Sequence, residues 1–503
     1  MSASPALLQQ LRSGRFPLPV IGKLTGRGIW KPSTCLQIHL ALVGVCALLL
    51  YLVPPAMVLV LSGIVIGTPL LVLGIVEARR GPLWLNPLSV FLLFLGVQMG
   101  PATIYTGTTL LAEHSLDFPL FRIPAYDVAL GYFITLIGTF TMHLGLVAFR
   151  PSPRQRYFPG SVNWKPHWIL LLYALGIAAI YRPSAFLFLG MFGGMLQWGC
   201  MAVLLAVAFC SANLRSLSMR LLFAAGVAIY VLAAFFGENS SKSYTMMALL
   251  PAIVFLSCRK QYHKWIPVVG ILLLVLYLGI VAPAVNTSRI IQQGDSYDRI
   301  MGGLRSSSPF YTGEPVTLSL ANQFDGLMER LFEIPMVTGF MVGEVSRSGL
   351  QLGSTMEDLY YAFIPRIIWP EKPPVSRGGW FTSYLGMVGS STSTGMTAVG
   401  EWYWNFGVAG VAVGMFLTGA LISGLWRLAG AYPLHQPANM VLYVAIIMSA
   451  MNLPDATSPI VSAVALYLFF GAIAYLGTFG QKPALPSRSA TIRPFAIKPS
   501  NWF

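Results

Sequence analysis

Charged residues are scarce in this chain, and their scarcity excludes most soluble classes. The 503 residues include 32 Lys+Arg and 17 Asp+Glu, so that 10% are charged, whereas roughly 25% is usual in a soluble domain. Apolar residues make up 55% of the chain and occur in runs that approach the roughly 20 helical residues needed to cross a bilayer. We therefore expect an all-α polytopic membrane protein rather than a soluble globular enzyme.

Cysteine pairs and the common catalytic signatures are also lacking. The five cysteines lie in or beside apolar runs without CxxC or Cys/His spacing, which argues against a disulfide framework or a zinc site. There is no P-loop, HExxH or GxSxG sequence, so ATP-driven transport and hydrolase chemistry lack their parts. His39 and His143 fall inside predicted spans, where we expect core residues. We expect no cofactor and no metal.

What the chain does have is twelve apolar segments, which predict twelve transmembrane helices. They divide the chain into a basic N-terminal segment at 1–35, nine spans within 36–283, a large loop at 284–403, three spans within 404–479 and a basic C-terminal tail at 480–503. The predicted spans are 36–53, 56–76, 83–105, 126–148, 167–181, 190–210, 219–236, 243–258, 265–283, 404–426, 438–453 and 459–479.

The distribution of basic residues predicts the orientation. A cytoplasmic N-terminus places 21 of the 32 basic residues on the cytoplasmic side, together with one of the 17 acidic residues, Glu77. Lys and Arg are enriched in cytoplasmic loops of membrane proteins. The basic excess is thus topological and requires no nucleic-acid partner. Both termini are expected in the cytoplasm, and the 284–403 loop is expected on the opposite side.

Two non-cytoplasmic regions are the expected site of chemistry. The 284–403 loop contains two amphipathic stretches, 324–332 and 356–369, that predict short helices on the outer leaflet. This loop contains basic residues that the enrichment of Lys and Arg on the cytoplasmic side does not explain. Such residues can bind phosphate by charge-assisted hydrogen bonds. They include Arg330, Arg366, Lys372 and Arg377. Arg182 lies outside the loop, before an apolar stretch at 184–194 that is too short to span and predicts a re-entrant segment.

Two motifs in and after this loop carry a family resemblance. The sequence PRIIWPEKP occupies residues 365–373, and GEWYWNFGVAG follows at 400–410 and opens a predicted span. This pair resembles the Wzy-type polymerases of O-antigen and exopolysaccharide repeat units, which have a PR-aromatic-P-x-KP segment in a large periplasmic loop and a GE-aromatic-x-NFG segment leading into the next helix. Arg366 and Lys372 match the first motif, and Glu401 and Asn405 match the second. Gly353-Ser354-Thr355, Lys242 and Arg330 fit the same pattern.

The resemblance implies a metal-independent glycosyltransferase of glycosyltransferase-C-like architecture in the bacterial inner membrane, related to O-antigen ligases. Such an enzyme transfers a growing glycan from undecaprenyl pyrophosphate to a new lipid-linked repeat unit. Cations are then needed to stabilise the leaving pyrophosphate, a role for Arg366, Lys372 and Arg330, with Arg289, Arg305, Arg182, Lys242 and Arg377 as further substrate-binding candidates. Glu401 is the candidate base for the acceptor hydroxyl, and Asn405 is a substrate-binding candidate. A chain-length regulator and a flippase are possible partners.

Other functions are compatible with the same sequence features. A lipid-linked oligosaccharide flippase or transporter also needs cations for a pyrophosphate headgroup, but should place them within the spans along a translocation path. An O-antigen ligase shares the donor and differs only in the acceptor. A structural subunit of a membrane complex leaves the loop cations unexplained. For Glu401, the alternative to a base is an ion pair that orders the span.

Overall fold

The structure is a computed structural model that describes residues 32–80, 86–118, 121–151, 166–189, 191–209, 217–238, 316–361, 368–371, 378–386 and 395–429, with single positions or short groups elsewhere. This part of the chain is mostly helical, as the composition predicts. The four predicted spans at 243–258, 265–283, 438–453 and 459–479 lie outside the described residues apart from single positions.

The first described helices form an antiparallel hairpin. Helix α1 covers Pro32–Leu52, α2 covers Pro55–Ser62 and α3 covers Thr68–Arg80, with a π-helical turn at Gly63–Gly67 between α2 and α3. The break falls at Pro54, where φ is −57° and ψ is 147°, because a residue that precedes proline is disfavoured in the helical region. The predicted tight turn at Pro54-Pro55 is thus present.

The next helical segment is one continuous rod that packs against α2 and α3. Helix α4 covers Pro87–Val97, a π-helical turn covers Gln98–Ala102, and α5 covers Thr103–Glu113. The rod begins with a capping box, in which the Asn86 side chain accepts a 2.9 Å hydrogen bond from the Ser89 amide and the Asn86 amide donates at 3.0 Å to the Ser89 hydroxyl. These bonds satisfy amide groups that a helix start leaves without partners.

A short hairpin connects this rod to the central helix. Strands β1, Ser115–Phe118, and β2, Phe121–Pro124, pair antiparallel with Asp117 opposite Arg122. Helix α6 then covers Ala125–Ala148. It is followed by the apolar helices α7, Pro166–Tyr181, α8, Met191–Phe209, and α9, Leu217–Phe236, with a 3₁₀ turn at Pro183–Leu189 before α8.

The remaining described helices come from the region around the predicted loop. They are α10, Val316–Leu331, α11, Glu333–Ser348, α12, Asp358–Tyr361, α13, Gly378–Tyr384, and α14, Ala398–Ala429. Helix α10 contains the predicted amphipathic stretch at 324–332 up to Leu331. Of the stretch at 356–369, the described residues form the end of a 3₁₀ turn at Ser354–Met356 and the short helix α12.

Helix α6 is the centre of the described core, with α14 and α11 packed against it. Gly138 of α6 lies beside Val411, and Gly145 lies beside Phe416 and Ala420, so α14 runs parallel to α6. Helix α11 runs antiparallel, because Gly131 meets Gly339 whereas Asp127 meets Gly343. A Cβ on Gly131 would collide with the Gly339 backbone, and this close approach brings the two helices into direct backbone contact.

Five of the described helices are long and apolar enough to cross a membrane: Pro32–Leu52, Pro55–Ala78, Pro87–Glu113, Ala125–Ala148 and Ala398–Arg427. They coincide with predicted spans 36–53, 56–76, 83–105, 126–148 and 404–426. Helices α7, α8 and α9 coincide with the predicted spans 167–181, 190–210 and 219–236. The count of twelve stays a prediction.

Helix α11 was not anticipated from the sequence. It lies in the middle of the expected 284–403 loop, yet Ile334, Val337, Phe340 and Met341 are buried. Pro335, Thr338 and Gly339 are buried as well and lie on the face that meets α6. The region therefore contributes a packed helix to the bundle, in addition to segments of the kind expected of a loop.

One end of the bundle is closed by a buried ion pair. Arg150, just after α6, lies 2.6 Å from the carboxylate of Glu77 in α3, and its guanidinium is 6.0 Å from the ring centroid of Trp426 in α14. Glu77 is 1% exposed. Because α3, α6 and α14 all contribute near their C-terminal ends, this contact defines the end of the bundle opposite to the α6 and α14 N-termini.

His39 and His143 contact each other inside the bundle. Their Nδ1 atoms lie 3.1 Å apart, and both side chains are fully buried. One ring must donate and the other accept, because a hydrogen bond between two ring nitrogens needs one proton. The pair joins α1 to α6, in agreement with the expectation that these residues belong to the core.

Candidate functional site

The candidate site lies at the end of the bundle opposite to the Glu77–Arg150 pair. The N-terminal ends of α6 and α14 meet there with the C-terminal end of α11, as the parallel and antiparallel packing described above requires. Helix α13 joins them, since the Tyr384 hydroxyl donates a 2.6 Å hydrogen bond to a Glu344 carboxylate oxygen near the end of α11. Four helices thus converge on one end.

Glu401, Asn405 and Thr355 form a buried hydrogen-bonded network at this end. The Thr355 hydroxyl donates to Glu401 Oε1 at 3.3 Å, and the Asn405 amide Nδ2 donates at 2.6 Å to Thr355 Oγ1 and at 2.8 Å to the Glu401 carbonyl. All three side chains are at most 2% exposed. A buried carboxylate and amide require such partners, because an unmet polar group costs about 1 to 3 kcal/mol.

The backbone before Thr355 is bound to the same helix. The Gly353 amide donates at 2.8 Å to Asn405 Oδ1, while the Gln351 and Leu352 amides donate to the carbonyls of Trp404 and Asn405 at 3.0 and 3.1 Å. Those two carbonyls are available because the helical dihedral angles of α14 are interrupted at Gly407, where φ is 65° and ψ is −159°. The Gly353-Ser354-Thr355 segment therefore docks where the NFG sequence interrupts the helix.

Two non-glycine residues with left-handed backbone flank this network. Leu352 has φ 50° and Thr397 has φ 56°. A β-branched residue such as threonine rarely adopts positive φ, and such strain of about 1 to 3 kcal/mol tends to be concentrated at functional sites. The Thr397 hydroxyl accepts a 3.1 Å hydrogen bond from the Gly400 amide, which caps the first turn of α14 directly before Glu401.

A second polar group lies on α11. Glu344, 7% exposed, pairs with Arg347 at 3.0 Å and accepts from the Tyr384 hydroxyl. Burial, and then the hydrogen bond to Glu344, raise the pKa of Tyr384 to about 12. The tyrosine hydroxyl therefore stays protonated and donating across the physiological pH range. Arg347 and Asp127 both lie close to Gly343. The N-terminus of α6, which contains Asp127, therefore lies beside the Glu344–Arg347 pair.

Aromatic rings surround Tyr384. Trp380 stacks on it at 5.6 Å between ring centroids and 26° between planes, and Trp404 lies 5.3 Å from it. Phe381 is nearly parallel to Tyr384 at 6.4 Å. Trp404 is buried, whereas Trp380 and Tyr384 are 46% and 39% exposed. An aromatic surface is therefore open to the surroundings beside the Glu344–Arg347 pair.

The predicted site residues are distributed unevenly. Glu401 and Asn405 are brought together with Thr355. Arg330 is paired with Glu333 at 3.3 Å on α10 and α11, and Arg182 is paired with Glu238 at 3.3 Å. The Ser184 hydroxyl and then Arg182 hold the pKa of Glu238 below its usual range. Arg305 occupies an exposed helical position. Arg289, Lys242, Arg366, Lys372 and Arg377 lie outside the described residues.

Several residues at this end were not identified from the sequence. Glu344 and Arg347 have the spacing of a helical ion pair, a signal that the sequence does contain. The aromatic cluster has no comparable signal, because its rings come from α13 and α14 and meet only through folding. No group of three His, Cys, Asp or Glu side chains suited to a metal ion occurs within the described ranges.

The fold and this site define a helical protein with several membrane-length apolar helices and a buried carboxylate network at one end. Residues 125–434 match the family described as Domain of unknown function (DUF8712), and the chain belongs to that family. The matched region begins with α6 and includes the whole Thr355–Glu401–Asn405 network. No curated protein and no solved structure matches the chain.

Proposed function

We propose that this protein is a membrane glycosyltransferase that polymerises undecaprenyl-pyrophosphate-linked repeat units into O-antigen or exopolysaccharide. The observation that carries the proposal is the Thr355–Glu401–Asn405 network. Two sequence segments that resemble parts of Wzy-type polymerases, Gly353-Ser354-Thr355 and the GEWYWNFG sequence at 400–407, join there around one carboxylate. Two segments that lie apart in the chain must meet at one site if they act in the same reaction.

The charges of the two bundle ends support the proposed orientation. Arg79 and Arg80 end α3, Arg150 follows α6, and Arg427 lies in the last turn of α14, so the Glu77 end carries a basic excess. Basic residues favour the cytoplasmic side. The network end is then the periplasmic face of the inner membrane, with both termini in the cytoplasm, twelve spans and the 284–403 region on the periplasmic side.

In the proposed reaction, an acceptor hydroxyl of a lipid-linked repeat unit attacks the anomeric carbon of the donor glycan. A new glycosidic bond forms as the bond from that carbon to the pyrophosphate oxygen breaks, and undecaprenyl pyrophosphate leaves with the electron pair. Glu401 takes the hydroxyl proton. Arg366 and Lys372 stabilise the charge that develops on the leaving group, and no nucleotide or metal enters the step.

The placement of charges favours an enzyme over a flippase. Within the five membrane-length helices of the described structure, Lys, Arg, Asp and Glu occur only near the ends, at positions 77, 113, 127, 401 and 427. A transporter of a charged headgroup needs charged residues along the path through the membrane. Their confinement to the two ends of the helices, with positions 113, 127 and 401 at the network end, fits chemistry performed at the membrane surface.

A two-acceptor assay tests the proposal against the related ligase function. The purified protein receives undecaprenyl-pyrophosphate-linked repeat units as donor, and either the same units or lipid A core as acceptor. Extension of the lipid-linked units, with lipid A core left unmodified, is the result expected of a polymerase. Transfer only to lipid A core would make the protein a ligase instead.

A further inference from the structure

The aromatic cluster beside the network has a surface with no role in the chemistry proposed above. Trp380 and Tyr384 are together the most exposed part of the cluster, yet their rings are held in place by buried neighbours. The buried ring of Trp404 packs against both, with its centroid 6.1 Å from that of Trp380 and 5.3 Å from that of Tyr384. A rigid, partly open pair of rings is a preformed binding surface rather than a mobile side chain.

We propose that Trp380 and Tyr384 form a stacking subsite for one sugar ring of the acceptor glycan, an inference that rests on the proposed function. A pyranose has an apolar face of C–H groups and a rim of hydroxyls. Tyr384 covers one face of Trp380, and nearly half of the Trp380 side chain stays open. Aromatic rings offer a large apolar area of fixed geometry at this position.

Polar groups at the rim of this surface fit the hydroxyls of a sugar. The Glu344 carboxylate and the Arg347 guanidinium are 3.0 Å apart and border Tyr384. The Arg347 side chain also donates its Nε–H to the Gly343 carbonyl, and its exposed guanidinium has further N–H groups that can donate outward. Ligand sites combine an apolar surface with a few fixed polar groups that set orientation. Glu344 and Arg347 provide one acceptor and one donor of this kind.

The indole of Trp404 supplies a further donor. Its Nε1–H is buried and finds no hydrogen-bond partner among the described residues. Buried polar groups in proteins are nearly always paired, so this donor is available to a polar atom that reaches the Trp404 ring. Trp404 follows Glu401 by three residues in α14, so the two lie about one turn apart on neighbouring faces. The sugar subsite would therefore lie beside the proposed base.

An aromatic belt residue at the membrane surface is the alternative for Trp380. Belt residues lie at the headgroup level with their polar tip in water. The stacked pair with a carboxylate and a guanidinium at its rim favours a sugar, because a belt residue needs neither a parallel ring partner nor a buried acid beside it. A measurement of whether residue 380 lies in water or in lipid distinguishes a sugar-binding residue from an aromatic belt residue.

Equilibrium binding of a free oligosaccharide tests the subsite directly. The probe is the repeat-unit oligosaccharide of the source organism, released from its lipid by mild acid and labelled at the reducing end, added to the full-length protein in nanodiscs. We expect Trp380→Ala to bind about tenfold more weakly and Trp380→Phe to retain most of the affinity. The matched control is Tyr360→Ala, since Tyr360 is an aromatic residue of α12 that is 88% exposed, and its affinity should equal that of the wild type.

A folding control and a location control complete the experiment. Tyr384→Phe keeps the ring and removes only the hydrogen bond to Glu344, so it should keep the stacking and lose less affinity than Trp380→Ala. A spin label at Trp380→Cys should report water contact. Equal affinity of the wild type and Trp380→Ala, no binding by the wild type, or a label buried in lipid would each overturn the subsite.

The failure of the subsite is distinguishable from failure of the proposed function. Polymerisation by the wild-type protein with no effect of Trp380→Ala on the acceptor KM overturns the subsite and leaves the enzyme intact. Oligosaccharide binding that depends on Trp380, in a protein that extends no lipid-linked glycan, retains the subsite and overturns the polymerase.

Discussion

The Asn405 side chain holds the Thr355 hydroxyl at 2.6 Å across a separation of 50 residues. Because Thr355 in turn donates to Glu401, Asn405 fixes the residue that orients the carboxylate. Asn405 is a positioning residue in this arrangement, and its effect on the reaction is transmitted through Thr355. The network therefore makes graded predictions for Glu401 and Thr355.

Glu401→Gln should separate chemistry from folding. The substitution keeps the size of the side chain and its capacity to accept from Thr355, but removes the charge that takes a proton. We expect turnover to fall by about 10² to 10⁴, with normal protein abundance and an unchanged acceptor KM. The turnover of Glu401→Asp should lie between that of the wild type and that of Glu401→Gln. Loss of folded protein with normal turnover of the remainder would show that Glu401 only orders the helix.

Thr355→Val should lower activity less than Glu401→Gln, because it removes one hydrogen bond to the carboxylate and leaves its charge. A loss of about fivefold in kcat is expected, in line with about 1 kcal/mol for one hydrogen bond. Thr418→Val is the matched control, since Thr418, which lies in α14, is as buried as Thr355, and its hydroxyl donates to the Gly414 carbonyl of its own helix rather than to the network. Equal effects on kcat in the two variants would contradict a special role of Thr355.

Arg366→Ala and Lys372→Ala should abolish polymer at normal protein abundance. Loss of one cation at the leaving group typically costs on the order of 2 to 4 kcal/mol of transition-state stabilisation, and Arg366→Lys should restore little if the contact is bidentate. Arg330→Ala should lower polymer formation less than either motif variant, because the exposed Arg330 is already paired with Glu333. Wild-type polymer lengths from both motif variants would reduce the motif to a structural anchor.

Arg150→Ala should destabilise the fold without affecting the chemistry. It leaves the Glu77 carboxylate buried without its cation, which typically costs about 3 to 5 kcal/mol, so the thermal midpoint and the yield should fall. Arg122→Ala is the control, because the Arg122–Asp117 pair is exposed and such pairs contribute about 0 to 1 kcal/mol. Normal turnover per folded molecule is expected for both. A turnover defect in folded Arg150→Ala would contradict this prediction, because it would show that the Glu77 end affects the chemistry at the network end.

Gly131 and Gly326 form a further matched pair. A Cβ at Gly131 collides with the Gly339 backbone, whereas a Cβ at Gly326 of α10 meets nothing within 4 Å. Gly131→Ala should therefore reduce folded protein strongly, and Gly326→Ala should be neutral or stabilise by about 0.5 to 1 kcal/mol. Similar thermal midpoints for the two variants would contradict the close contact of α6 and α11.

The sequence was sufficient to predict the helical class, because long apolar runs such as 126–148 leave few alternatives to a buried helix. It also identified Glu401 and Asn405 as site candidates through their motif. It did not predict α11 as a core helix, since that segment carries Glu344 and Arg347 and has a weaker apolar signal than a full span. The aromatic surface was beyond prediction as well, because Trp380 and Trp404 meet only through tertiary packing.

Extension of lipid-linked glycan by the purified protein is the most direct test of the proposed function. Wild-type protein receives only undecaprenyl-pyrophosphate-linked native repeat units, without nucleotide, added metal or an ion gradient, and products are separated by length on a gel. We predict longer lipid-linked glycans, unaffected by EDTA and strongly reduced in Glu401→Gln. Unextended units in the presence of well-folded wild-type protein would contradict the polymerase.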